Sequence, residues 1–255
     1  MNKLTTDSIE TEFKICDFSI KSFKSLESTN FYALKNYTEF NDKDVITADF
    51  QTGGKGRLGR KWFSKDGNAY LSIVLKPVQT INNNLPLANL TQYMSVVLCR
   101  LLSDYDISAE IKWPNDVLIE GKKIAGILSE ASIQGETLKC FILGIGINLN
   151  LTEDDLKNID QPATAMNLLL KKSVDKNLFI NQLLNEFFKG YDAFLNDGFI
   201  ALKDEYEQRA TFLGKKVTIS QEKFFAKEIN NDGSLKVIDE NQNEKNITIG
   251  DLVCQ

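Results

Sequence analysis

Two short apolar, β-branched runs, residues 45–50 (VITADF) and 69–76 (AYLSIVLK), flank a stretch that neither a helix nor a regular strand would keep. Residues 51–62 read Gln-Thr-Gly-Gly-Lys-Gly-Arg-Leu-Gly-Arg-Lys-Trp, with four glycines, two arginines and two lysines in twelve positions. Each glycine costs conformational entropy on ordering, so packing alone does not account for four of them. They permit positive φ and let backbone N–H groups approach where a Cβ would exclude a ligand. Cations interleaved with them suit an anion, whether phosphate or carboxylate. An idle basic turn is the plainer alternative, but it needs neither this much glycine nor a closing tryptophan.

Two common phosphate-binding patterns are excluded by context. Gly54, Gly56 and Gly59 satisfy G-x-G-x-x-G, but that pattern requires a helix opening on the third glycine. Residues 60–68 (RKWFSKDGN) carry no helical periodicity, and the next strand follows at once. A P-loop fails because Gly59 precedes Arg60 and Lys61 rather than Lys-Ser or Lys-Thr. The expectation is a strand–glycine loop–strand anion site.

At 255 residues the chain can bury a real core, and its 42% hydrophobic and 25% charged content is ordinary for a globular protein. A net charge of −5 argues against general nucleic-acid binding, and the basic loop on an acidic chain points to a small anionic ligand. Residues 1–12 show no signal segment, and no apolar run reaches membrane-spanning length. Cys16, Cys99, Cys140 and Cys254 form no C-x-x-C pair, which speaks against a zinc site or disulfide framework and for a reducing cytoplasm. There is no histidine at all, which removes Ser-His-Asp and Cys-His nucleophiles and histidine metal sites. Chemistry here must come from positioning, electrostatics, oxygen-held metal, or Lys, Arg and carboxylate groups.

Along the chain, Phe13, Ile15, Phe18, Ile20 and Phe23 alternate through residues 10–24, predicting one or two edge strands. Ser28 or Thr29 caps a helix that opens on Phe31. Residues 85–105 predict a helix with Pro86 in its first turn and Leu87, Leu90, Met94, Val97, Leu98 and Leu101 on its core face. Residues 110–113 form a strand running into the Pro114-Asn115-Asp116 turn. Residues 117–119 and 123–131 pair as a hairpin across Glu120-Gly121-Lys122, placing Asp116 and Lys123 at one end. Residues 138–148 read as a central strand closing on Gly144-Ile145-Gly146-Ile147-Asn148, where a backbone or ligand comes close. Helices are expected at 163–171 and 174–196, the second with Leu178, Leu183, Leu184, Phe187, Phe188 and Tyr191 at helical spacing. From Thr211 on, short strands at 215–220, 224–229, 235–238 and 246–249 suggest a small β-barrel.

Taken singly, Ser28 is explained by a cap, Asn115 and Asp116 by turn chemistry, and Lys123 by a solvated hairpin. Taken in order, Glu27-Ser28-Thr29-Asn30, the loop 54–60 with Lys61-Trp62-Phe63-Ser64, Lys112–Asp116, Lys123–Gly126 and Gly144–Asn148 resemble the biotin protein ligases, from about Ser25 to the C-terminus. The resemblance implies an α+β fold. A mixed, class II synthetase-like sheet with packed helices would occupy residues 1–208, and an SH3-like barrel residues 209–255. It implies an enzyme that joins biotin to ATP, with Mg²⁺ on the triphosphate, and passes the biotinyl group to a lysine of a biotin carboxyl carrier protein. Arg57, Lys55, Lys123 and Asp116 would be the catalytic groups. Ser28, Thr29, Asn30, Gln51, Gly54, Lys55, Gly56, Arg57, Trp62, Lys123 and Gly126 would bind biotin. Arg57, Arg60, Trp62, Asn115, Lys123 and Asn148 would bind the nucleotide. Asp116 would orient either a metal or the incoming lysine, and no fixed protein metal site is expected.

Lys55 stands where the family commonly has arginine, keeping charge but losing the planar fork, and Leu58 replaces a position often basic. The stretch before Ser28 is too short for the DNA-binding domain many relatives carry, so no DNA or membrane partner is expected. A homodimer is among the assemblies the resemblance allows. The rival is a lipoate or octanoate ligase or transferase of similar fold, whose Arg-Arg-x-x-Gly-Gly-Gly loop and His-Asp pair are both missing here. A biotin sensor or RNA binder is a more distant reading: a sensor needs no Lys123–Asp116 pairing, and an RNA binder needs a broad basic face.

Overall fold

The computed structural model describes residues 11–15, 18–76, 86–135 and 137–254. Most of the expected leaderless segment, together with Glu10, Cys16, Asp17 and Leu85, lies outside them, as do the side chains of Phe13, Ile15, Pro86 and Cys254. The strands are β1 (Thr11–Ile15), β2 (Phe18–Leu26), β3 (Val45–Gln51), β4 (Ala69–Leu75), β5 (Glu110–Lys112), β6 (Asp116–Ile119), β7 (Lys122–Gln134) and β8 (Thr137–Ile147). Then come β9 (Lys216–Ile219), β10 (Glu222–Ile229), β11 (Leu235–Ile238), β12 (Glu244–Ile247) and β13 (Leu252–Cys254). The helices are α1 (Thr29–Lys35), α2 (Leu90–Ser103), α3 (Glu153–Leu156), α4 (Met166–Leu170), α5 (Lys176–Asp197) and α6 (Lys203–Arg209). The chain divides into two units, Met1–Asn82 with Gly126–Asn177 and Asn83–Ala125 with Leu178–Gln255.

In the first unit the strands lie in the order β1-β2-β3-β4-β8-β7. Only β1 is an edge among the two N-terminal strands; β2 is enclosed between β1 and β3. The β2–β3 pair is parallel, with Leu26 opposite Gln51, so the residues that follow the two strands leave the sheet side by side. That register brings residues 27–30 next to the glycine loop. Every residue of β4 is buried, as an interior strand requires, between β3 and β8. α1 lies over β3, β4 and β8, and its Ala33 joins Phe23, Leu26, Phe40, Ile46, Ala48, Val74, Cys140 and Ile142 in one core. The helix expected at 163–171 is confined to Met166–Leu170. Asn148 Nδ2 donates to the Thr164 carbonyl (3.0 Å), and Met166 N and Asn167 N donate to the carbonyls of Asn148 and Leu149 (3.0 and 2.8 Å), which holds residues 164–165 outside the helix. α3, absent from the sequence reading, opens on a capping box between Thr152 and Asp155.

In the second unit α2 follows a single 3₁₀ turn, Pro86–Asn89, and buries Leu90, Met94, Val97, Leu98 and Leu101 as its periodicity predicts. β5 and β6 pair antiparallel, and the β6–β7 hairpin turns through Glu120 (φ 49°) and Gly121 (φ 74°). Both central residues are left-handed, as a two-residue turn matching the strand twist demands. α5 buries Leu183, Leu184, Phe187 and Tyr191, whereas Leu178 is exposed. Tyr93 stacks on Phe194 (4.6 Å between ring centroids) and donates to the Phe187 carbonyl at 2.7 Å. The last strands form an antiparallel sheet in the order β12-β11-β10-β9-β13, which adds β13 to the four the sequence predicted. The fold is α+β, with a mixed sheet, packed helices and a separate C-terminal antiparallel sheet.

Candidate active site

The glycine loop is a continuation of β3 held against the end of β2. Thr52 N donates to the Leu26 carbonyl (3.0 Å) and Gly53 N to that of Glu27 (2.8 Å). The chain then folds back on itself. Trp62 N donates to the Gly54 carbonyl (2.9 Å) and Gly56 N to that of Arg60 (2.7 Å), with Lys55 bridged to Lys61. Leu58 and Gly59 turn the tip at φ 55° and 74°. Of the loop glycines only Gly59 has positive φ; Gly54 is there for space, and a leucine occupies the second left-handed position. A Cβ on Gly54 would stand 3.0 Å from Gln51 Nε2, Ser64 Oγ and the Trp62 carbonyl at once.

Beneath this cationic hairpin lies a buried, uncharged set. Ser28 caps α1 and accepts from Phe31 N (3.4 Å), as its sequence position predicts. Gln51 Oε1 accepts from Thr29 N at 2.8 Å, and Gln51 Nε2 donates to Ser64 Oγ at 3.4 Å. Asn30 is also buried, with its amide over the backbone of Gly144; a Cβ there would fall 2.0 Å from Asn30 Oδ1. A Cβ on Gly146 would fall 2.5 Å from Trp62 Cε2. The close approach expected at the two β8 glycines is therefore specific: one admits the Asn30 amide, the other the Trp62 indole. Lys55 Nζ lies 5.4 Å from the centre of the Phe31 ring, and Lys55, Arg60 and Lys61 are exposed. Tyr70 stabilises the segment behind the loop, accepting from Lys65 N (2.7 Å) and donating to the Lys65 carbonyl (2.8 Å). Burial pushes its phenol up to about 12.

In the second unit the Lys112–Asp116 turn joins β5 to β6. Trp113 Nε1 and Gln92 Nε2 donate to the Gly233 carbonyl (3.2 and 2.9 Å), which fixes the turn's tryptophan against the β10–β11 connection. Lys123 Nζ and Asp116 Oδ1 meet at 2.7 Å, as the hairpin register predicted. Among the described residues no group of three or more Cys, Asp and Glu side chains could hold a metal ion. Ser72 and Glu130, which complete the hydrogen-bonding around Asn30, escaped the sequence reading. Ser72 had a signal, a lone serine in an otherwise apolar and aromatic run. Glu130 had none, standing a hundred positions from Asn30.

Residues 22–148 match the Biotin/lipoate A/B protein ligase family. The biotin--[acetyl-CoA-carboxylase] ligase of Paracoccus denitrificans is 30% identical over 196 residues, covering 75% of this chain and 80% of that one. The chain belongs to the biotin/lipoate A/B protein ligase family. The bifunctional ligase/repressor BirA of Bacillus subtilis is 33% identical over 179 residues, covering 67% of this chain and 52% of its own length. The chain thus spans about half the length of the bifunctional relatives it matches. Among solved structures, a biotin protein ligase from Aquifex aeolicus in complex with biotin and ATP is 28% identical and superposes with a TM-score of 0.74 over 92% of this chain and 98% of that one.

Proposed function

We propose that this member of the family is an ATP-dependent biotin protein ligase. In the first step the biotin carboxylate attacks the α-phosphorus of MgATP, giving biotinyl-5′-AMP and pyrophosphate. In the second a lysine ε-amine of a biotin carboxyl carrier protein attacks the acyl carbon and AMP leaves. Neither step needs a covalent enzyme intermediate, which suits a chain without histidine.

The observation that carries this reading is the buried uncharged pair Thr29–Gln51, joined to the half-buried Ser64, under a cationic loop. A ureido ring presents one acceptor and two donors, so it can meet the hydrogen-bonding capacity these groups have left over from one another; a dithiolane or alkyl chain can meet none of it. Ser28, Thr29, Asn30 and Gln51 bind the ring in this reading. Trp62 packs on the apolar part of biotin, and Gly54, Gly56 and Gly126 give its chain room. Lys55, Arg57 and Lys123 suppress repulsion between carboxylate and phosphate, a positioning and electrostatic role. Arg60, Asn115 and Asn148 serve the nucleotide, Mg²⁺ enters with ATP as substrate, and Asp116, paired with Lys123, orients a metal or the incoming lysine. Residues 1–208 form the catalytic part and 209–255 the barrel. The free buried thiols of Cys99 and Cys140 support a reducing, cytoplasmic setting.

The test is ATP–pyrophosphate exchange with Mg²⁺, comparing biotin, lipoate, octanoate and no acid. Exchange with biotin alone is expected. Exchange with lipoate or octanoate would move the chain to the sister activity of its family. A folded sample giving none would retire the mechanism.

A further inference from the structure

The hydrogen bonds around Asn30 leave little freedom in where each hydrogen goes. Asn30 Nδ2 faces the Leu128 carbonyl (3.3 Å) and the Glu130 carboxylate (2.9 Å), neither of which can donate. The amide nitrogen must therefore lie on that side, and Oδ1, a pure acceptor, on the other. Ser72 Oγ stands 2.6 Å from Asn30 Oδ1 and 2.8 Å from Thr29 Oγ1. A hydroxyl has one hydrogen, and only Ser72 can supply the one Asn30 Oδ1 accepts. Ser72 Oγ is then left as acceptor, and Thr29 must give it a hydrogen. The longer 3.3 Å approach of Thr29 Oγ1 to Gln51 Oε1 loses that competition, and Gln51 Oε1 is already served by Thr29 N at 2.8 Å. Ser72, Thr29 and Asn30 are all buried, so water does not reopen the choice. Ser72 sits opposite Gly144 in the β4–β8 pair, the glycine that makes room for the Asn30 amide.

We propose that Ser72 is a specificity-determining positioning residue, which commits the Thr29 hydroxyl hydrogen inward and so makes Thr29 Oγ1 an obligate acceptor for a ligand N–H. This rests on the reading of residues 28–51 as the site for the ureido ring. Ser72 touches no substrate in this scheme. It sets the polarity of a residue that does, and Glu130 fixes the chain of bonds from its far end. A ligand offering an oxygen where the ureido N–H should be meets lone pair against lone pair and is rejected.

The experiment is calorimetric binding, without ATP, of the full chain to biotin and to the two regioisomeric cyclic carbamates in which one ureido N–H is replaced by oxygen. These analogues match biotin in shape and differ in offering an oxygen lone pair where biotin has one N–H. In the wild type one regioisomer should bind about a hundredfold more weakly than biotin, the penalty of an unmet buried acceptor. In Ser72→Ala the Thr29 hydroxyl is free to turn and donate, so biotin should weaken about tenfold while discrimination against that carbamate shrinks to a few-fold. Ser72→Cys, nearly isosteric and a weak hydrogen-bonding group, gives the same readout if the alanine variant does not fold. Equal weakening for biotin and both carbamates, with the ratio unchanged, would mean a merely structural role and overturn the proposal. So would unchanged affinities and ratio in the variants. A folded wild type that binds no biotin would instead overturn the reading of the site itself, a result distinct from either.

Discussion

At the scale of single residues, Gly144 and Gly146 differ in what a methyl group would strike, and the difference decides which substitution the chain can absorb. At Gly146 the added carbon meets the half-buried Trp62 ring at 2.5 Å, a side chain carried on the loop after β3 and outside the Asn30 network. At Gly144 it meets the Asn30 amide at 2.0 Å, which is locked by Ser72, Leu128 and Glu130. Gly146→Ala should therefore stay folded and raise the KM for biotin about tenfold or more through a displaced indole, since an ångström of misplacement can cost that much. Gly144→Ala should lose stability first, by about 2 kcal/mol or more, as a buried network is broken. Urea midpoints and biotin titrations of the two variants separate these outcomes; equal stability loss in both would contradict the assignment. Lys123→Ala removes a cation paired at 2.7 Å to an Asp116 that keeps some access to solvent. A fold near that of the wild type and adenylate formation slowed about a hundredfold are expected, in line with loss of one charge-stabilising donor. Wild-type turnover in single-turnover measurements would exclude Lys123 from the chemistry.

At the scale of elements, a carbonyl on the β10–β11 connection anchors the turn that leads into β6. Gly233 has φ 79°, and a Cβ on it would stand 2.1 Å from Asn89 Nδ2 and 2.5 Å from Gln92 Oε1. Gly233→Ala should cost about 2–4 kcal/mol by combining left-handed strain with overpacking. It should also loosen Trp113, visible as a red-shifted indole emission; an unchanged midpoint and emission would refute the anchor. Such a tie joins residues more than a hundred positions apart, and no local pattern announces it. What the sequence did make legible was local: the strands either side of the glycine loop, the Ser28 cap, the apolar stripe of α2 and the hairpin at Glu120-Gly121. The parallel β2–β3 register was not legible, because the alternation that marks a strand does not name its neighbour. The truncation of the helix expected at 163–171 follows from backbone bonds to residues 148–149, which compete with helical ones and leave no trace in periodicity. At the candidate site, the residues that the sequence singles out are those with unusual composition around them. Ser72 and Glu130, ordinary in their own surroundings, acquire their roles only from pairing across strands.

At the scale of the whole molecule, the alkaline limit of stability follows from groups that burial keeps protonated. Cys99 is pushed up to about 12 and Tyr70 likewise to about 12, both by desolvation. Tyr93, Tyr206 and Cys140 are raised for the same reason. An acid whose folded pKa lies above its unfolded value holds its proton longer in the native chain. As pH rises through the ordinary thiol and phenol range, the unfolded chain binds fewer protons than the folded one, and stability falls. The decline begins near pH 9 with the thiols and steepens above pH 10, at about 1.4 kcal/mol per pH unit for each group inside its window. Cys99, Tyr93 and Tyr206 belong to the second unit, Tyr70 and Cys140 to the first, so the second unit should be the more alkali-sensitive. The two tryptophans provide one reporter for each, Trp62 in the first and Trp113 in the second. Urea denaturation of Trp62→Phe and Trp113→Phe, followed by the remaining indole between pH 8 and pH 11, should show the Trp113 midpoint falling further than the Trp62 midpoint. Cys99→Ala should delay the onset of the Trp113 fall by removing the buried thiol of the second unit, which titrates in the unfolded chain before the tyrosines do. Flat midpoints across the range would mean that desolvation of these buried groups does not govern the alkaline limit, whereas coincident falls would show the two units unfolding as a single cooperative body.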